Sequence, residues 1–283
     1  MKKIILLRAL ILSLNGMAAT MPFRSANDTI RINEIVSVLK SNPGNRGDRI
    51  AAAAVMLEGG GLDDYYRTDS LGTLRINLET FTPLMLVNTA IALAKTSEIP
   101  EAVDWHAFQK EFENISCRRG ENGGFTSIMH HGSDWIGDNI SRGNIIELTE
   151  NYAGMVAHTK SLDDMTRNRS QYAALADSAT FENVRMTEMG FRTHRIPTLK
   201  KETIKKKEVI DDLQNGDIII LVPNQDGYDI YDMGIIVMED KVPHLLHLSP
   251  QTKTVTLEKE NLDRYLSLLT KYYKGYRLLR IKD

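Results

Sequence analysis

Cys117 is the only cysteine in 283 residues. A lone thiol excludes an intramolecular disulfide and any multi-cysteine zinc site. The fold must therefore hold by core burial, which a chain of this length can supply. Excess charge is missing too: the formal net charge is −2, which leaves no electrostatic footprint for a nucleic-acid partner. No apolar run reaches the roughly 20 residues that a membrane span needs. Internal repeats and low-complexity segments are also absent, and no pattern in the chain asks for a cofactor.

What is present at the start is a short export-like pattern. Lys2 and Lys3 precede an apolar run from Ile4 to Leu14, and small residues follow at Gly16, Ala18 and Ala19. A basic n-region, a short h-region and small residues predict a secretory signal over 1–20, cleaved near Ala18 or Thr20. The expected location is secreted or periplasmic, with no membrane span after cleavage. Residues 21–44 read as a leader and helix, and 45–283 as one folded domain.

Within 21–100, helical spacing links Ile32, Ile35, Val36 and Leu39, and a second helix runs from Asp48 through Leu57 to Gly59-Gly60-Gly61. Leu74 to Leu78 alternates like a short strand. Leu84 to Ala94 is the most apolar helix beyond the export segment, with Thr82 as N-cap and Pro83 in the first turn. Trp105 to Glu113 predicts a further helix, and Arg119 to Trp135 a glycine-rich, histidine-bearing loop. The C-terminal third changes period. Gly216–Val222, Asp229–Met238, Val242–Leu248 and Lys253–Leu257 predict strands, then Lys259–Tyr273 a helix and Tyr276–Ile281 a last strand. Helices first and an antiparallel sheet after predict an α+β domain. The basic run from Lys200 to Lys207 reads as a solvated face.

Three stretches carry a family resemblance. Arg75-Ile76-Asn77-Leu78-Glu79-Thr80-Phe81 leads into the buried helix. Gly124 to Trp135 holds Ser127, His130, His131 and Asp134 in a compact loop. Gly216-Asp217-Ile218-Ile219, Gly227 to Gly234 and His244 to Ser249 follow as strands. Together they resemble the N-acetylmuramoyl-L-alanine amidase-like branch of the NlpC-type, papain-like cell-wall hydrolases, over about residues 45 to 283. The resemblance implies helices packed on a central antiparallel sheet or partial barrel. It also implies a substrate class, the amide between N-acetylmuramic acid and the stem peptide, and peptidoglycan fragments (muropeptides) as partners.

The same resemblance implies lost chemistry. The family nucleophile is a cysteine at a helix N-terminus, where the dipole and an imidazole hold it as thiolate; that position here is Pro83. The family aspartate before it is Thr82, and the downstream glutamate is Asn88. The family base histidine is Asp232, and the orienting position is retained as His247. His130, His131, Ser127 and Trp135 are the expected ligand-binding residues of the loop.

Two substitutes for the missing nucleophile come from the residues themselves. Cys117 could be a displaced thiol, although a buried structural thiol is the default. A two-residue turn at Glu239-Asp240 would set Asp232 directly opposite His247, within cross-strand contact. Adding His130 would make a metal triad, against the simpler expectation of a hydrogen-bonded structural pair with no metal. His106, His158, His194 and His244 receive no role. Three readings stay open: a catalytically degenerate amidase-like protein that binds muropeptides, a hydrolase with altered chemistry, and a non-glycan interaction protein on the same scaffold.

Overall fold

The computed structural model describes residues 26–41, 44–63, 65–100 and 105–283; the expected export segment lies outside them. The elements run α1 (Ala26–Ser41), α2 (Arg46–Val55), β1 (Gly61–Leu62), α3 (Tyr65–Thr68), β2 (Thr80–Phe81), α4 (Pro83–Ser97) and α5 (Trp105–Ser116). Next come α6 (Gly132–Ser141), β3 (Ile145–Glu147), β4 (Met155–Lys160), α7 (Asp164–Arg167), α8 (Ser178–Met189), β5 (His194–Lys200) and α9 (Lys207–Ile210). The chain closes with β6 (Ile218–Pro223), β7 (Asp232–Glu239), β8 (Val242–Leu248), β9 (Val255–Asn261), α10 (Leu262–Leu268) and β10 (Tyr273–Ile281). Among the described residues no helix is long and apolar enough to cross a membrane.

The result is a mixed α+β architecture around an antiparallel sheet, in the order β4-β5-β10-β6-β7-β8-β9, with β3 also pairing β10. Strand alternation separates two cores, since successive side chains point to opposite faces. On one face Ile218, Ile220, Met233, Ile235 and Leu246 pack under α1, α2, α4 and α5. On the other, Ile219, Leu221, Ile236 and Leu245 meet Leu262, Tyr265 and Leu266 of α10. The apolar stripe of α1 (Ile32, Ile35, Val36 and Leu39) belongs to the first core, so this helix packs with the body that follows it.

Four sequence expectations are corrected. Leu74, Ile76 and Leu78 are buried in alternation, yet the segment makes an isolated bridge at Arg75 rather than a strand. Its backbone is held instead by α1, where Asp28 Oδ1 accepts from Leu78 N at 3.1 Å and Arg31 Nη1 donates to Leu78 O at 2.7 Å. The sheet also draws β3, β4 and β5 from 145–200, a stretch left unassigned by period alone. β9 continues to Asn261, whose side chain accepts from Arg264 N at 3.2 Å and caps α10; the helix begins later than 259. Finally, the β7–β8 turn is Asp240-Lys241, both at positive φ (49° and 68°), as a two-residue turn matching strand twist requires. His247 therefore pairs with Gly234 rather than Asp232.

Candidate functional site

A cleft of about 530 Å³ opens at the N-terminus of α4. Its walls come from the start of α4, the end of α5, the Ile128–His131 segment and the Tyr228–Tyr231 segment entering β7. Local chemistry makes each wall. Thr82 accepts from Met85 N at 3.2 Å and Pro83 takes the first helical position, where its missing N–H costs nothing. Thr82→Ala should lower stability by about 1 kcal/mol as a lost N-cap, read by urea denaturation; an unchanged midpoint would mean the cap contributes nothing. Asp229 secures the opposite wall by accepting from Gly132 N at 2.9 Å and Ser133 N at 2.5 Å, which caps α6. Lys160 reinforces it from behind, donating to Pro223 O at 2.7 Å and Tyr228 O at 3.4 Å. Burial pushes its ammonium down to about 8.

Pro83 lines this cleft, whereas Asp232 and His247 do not. Asp232 pairs with Leu221 and His247 with Gly234, which puts both side chains on the α10 face of the sheet, away from α4. There the contact foreseen between them exists: His247 Nδ1 lies 2.5 Å from Asp232 Oδ2. The register offset is two residues, so facial parity survives and the contact is diagonal. Gly234 makes room, since a Cβ there would sit 2.8 Å from His247 Cβ and 2.6 Å from Leu246 O.

A second carboxylate completes the group. Glu258 Oε1 lies 2.9 Å from His247 Nε2, and Tyr265 meets the imidazole edge-on with centroids 5.2 Å apart. Burial alone would lower the imidazole's basicity; the charges and hydrogen bonds of Asp232 and Glu258 outweigh it and push the pKa up to about 9. Both ring nitrogens then donate, so the ring is a structural imidazolium at neutral pH with no free lone pair for base chemistry. Glu258 lies one residue past the expected strand end at Leu257, within the longer β9.

The loop residues separate into different roles. His130 lines the cleft, packs at a tilt against Phe125 with centroids 4.5 Å apart, and has its pKa lowered to about 4 by burial and then by His131. His131 sits at the N-cap position of α6 without a side-chain capping bond, and its ring contacts Glu188 at 3.0 Å. Glu188 is a buried carboxylate that also accepts from Met165 N and Thr166 N at 3.0 Å each. Burial disfavours the His131 cation, but the Glu188 hydrogen bond prevails and raises its pKa. Ser127 closes its own turn, donating to Gly124 O at 2.7 Å and accepting from Gly123 N at 2.9 Å. Trp135 falls within α6, not a loop, and is fully buried, so it supports the core rather than the cleft. His130 is not brought to Asp232 and His247, and among the described residues no group of three His, Cys, Asp or Glu side chains is arranged to hold a metal ion.

Cys117 is likewise removed from the chemistry. It forms an isolated bridge with Ile128 and is fully buried, and burial pushes its thiol up to about 12. A thiol at that value stays protonated and non-nucleophilic near neutral pH.

Comparison with known proteins gives three findings. A family model described as AmiA-like, N-acetylmuramoyl-L-alanine amidase-like, matches residues 62–270. Two crystal structures of an N-acetylmuramoyl-L-alanine amidase from Bacteroides uniformis are similar, with TM-scores of 0.74 and 0.73 at 24% identity, covering 85% of this chain and 100% of theirs. A Legionella pneumophila protein is similar at a TM-score of 0.69 and 14% identity, over 91% of this chain and 95% of its own. At these identities the structural likenesses establish the fold alone. No curated protein matches the chain.

Proposed function

We propose a function on one premise: this chain belongs to the N-acetylmuramoyl-L-alanine amidase-like family. It is a cell-wall protein that binds muropeptides in the cleft at the start of α4 and does not hydrolyse them. Its scaffold is the papain-like NlpC type, and it is exported to the periplasm or beyond by the segment at 1–20.

One observation carries the reading. The helix start facing the cleft is Thr82-Pro83, a capped and chemically inert N-terminus, where the family's resemblance puts a thiolate. Acyl transfer through a thioester has no path without a nucleophile. The remaining thiol, Cys117, is buried and protonated, and the retained histidine, His247, is locked between two carboxylates. The cleft itself is kept, with a volume suited to a small ligand and aromatic side chains at Tyr172, Tyr228 and Tyr231.

A calorimetric isotherm with purified muropeptides tests binding, and mass spectrometry of the same mixtures tests turnover. The expected result is saturable binding with no free stem peptide released, with or without added zinc. Stem-peptide release that vanishes in Cys117→Ala would overturn the degenerate reading, and zinc-dependent release would favour a metal-assisted hydrolase.

A further inference from the structure

Two buried polar atoms at the cleft, Asn88 Oδ1 and Ser116 Oγ, have no protein partner. Asn88, on α4, is 3% exposed and its Oδ1 accepts no hydrogen bond. Ser116, the last residue of α5, is also 3% exposed and its Oγ is unbonded. Both line the cleft. Buried polar atoms are nearly always satisfied, and this protein observes the rule nearby. In α4, Thr89 donates to Met85 O at 2.7 Å, Thr96 to Ala92 O at 2.6 Å and Ser97 to Ala94 O at 2.6 Å. A helix-end serine can do the same, but Ser116 does not.

We propose that Asn88 and Ser116 form a recognition subsite for a secondary amide of the ligand. Such a group has one N–H for Asn88 Oδ1, one carbonyl for the Ser116 hydroxyl, and an alkyl substituent for the apolar Met85, Ile128 and Met129 of the same cleft. A charged ligand group fits the floor less well. The cleft carboxylates already have partners: Asp229 caps α6, Asp164 accepts from Tyr172 at 2.5 Å, and Asp63 accepts from Thr80 at 2.9 Å. An ion here would be desolvated without compensation. The inference deepens the muropeptide reading and rests on it for the ligand's identity. An acetamido sugar and a peptide bond both present this chemistry.

The test uses the folded chain and simple amides. N-methylacetamide has both donor and acceptor; N,N-dimethylacetamide has only the acceptor. Followed by NMR, the Asn88 side-chain amide should shift saturably with the first and bind the second about fivefold more weakly, the worth of one net hydrogen bond. Asn88→Leu should remove the preference, and Ser116→Ala should weaken binding of both amides alike, because both carry the carbonyl. Asn88→Leu should also raise the thermal midpoint, because an unsatisfied buried carbonyl is replaced by apolar atoms of similar shape. Should that variant misfold, the loss of affinity for both amides in Ser116→Ala, beside the preference of the unaltered chain, decides alone. Equal response to both amides, or affinities that Ser116→Ala leaves unchanged, overturns the subsite. Competition by N-acetylmuramic acid assigns the site to the acetamido group, and competition by alanyl-D-isoglutamine assigns it to the peptide. If N-methylacetamide binds and neither competes, the subsite stands and the muropeptide reading falls.

Discussion

Asp232→Ala should destabilise the fold by about 3–5 kcal/mol, the cost of leaving a buried charge without its partner. His247 is wholly buried and donates to Asp232 and to Glu258. Removing Asp232 deprives Nδ1 of its acceptor inside the sheet, with Leu221 and Ile236 on the same face and no water-accessible replacement. Glu258 cannot compensate, because it already holds the other nitrogen and is itself partly solvent-exposed. Urea denaturation measures the loss. Replacing Asp232, His247 and Glu258 together with apolar residues of similar volume should recover most of it, since an ion group and a well-packed apolar one are close in net stability. Muropeptide affinity should be unchanged in Asp232→Ala wherever the protein is folded, because the group faces α10 and not the cleft. A single variant as stable as wild type would mean that the buried imidazole is neutral and the triad contributes no charge pairing.

What sequence could show here tracks how local the chemistry is. The α4 start was legible because an N-cap and a first-turn proline act on their own helix. The Asp232–His247 contact was legible for a subtler reason: facial parity survives any even slip of register. The turn itself was hidden, because Asp240 and Lys241 adopt positive φ without the glycine that usually announces it. The family resemblance correctly anticipated the amidase-like family; of the three positions to which it gave the family's catalytic roles, Pro83 lines the cleft and Asp232 and His247 do not. β4 was unreadable for want of an apolar period: Met-Val-Ala-His-Thr-Lys alternates exposed with half-buried residues until Lys160, at the sheet edge. Glu188 and Glu258 could not be found because their partners, His131 and His247, are contacts made by tertiary packing. Asn88 was visible as a substitution, but its missing partner is a property of the folded cleft alone.

Stability should fall between pH 6.5 and pH 9, by up to about 3 kcal/mol from His247 alone. The folded pKa of this group is raised to about 9 from an ordinary 6.5. A folded state that binds the proton more tightly than the unfolded one is stabilised fully below the unfolded pKa. As pH rises through the folded value the imidazolium is lost, the two carboxylates lose the cation between them, and the contribution disappears. His131, raised by its Glu188 hydrogen bond, adds to the same slope. On the acid side the sign reverses for His130. Its pKa is depressed to about 4, so its contribution is present above pH 6.5 and is lost as pH falls towards 4. Urea midpoints measured from pH 4 to 10 should therefore peak near pH 6 to 7. His247→Gln should flatten the alkaline limb while leaving the acid limb in place, which separates this group from general charge repulsion. An NMR titration gives the direct check: a His247 ring that loses its proton below pH 7 would remove the structural imidazolium and with it the predicted slope.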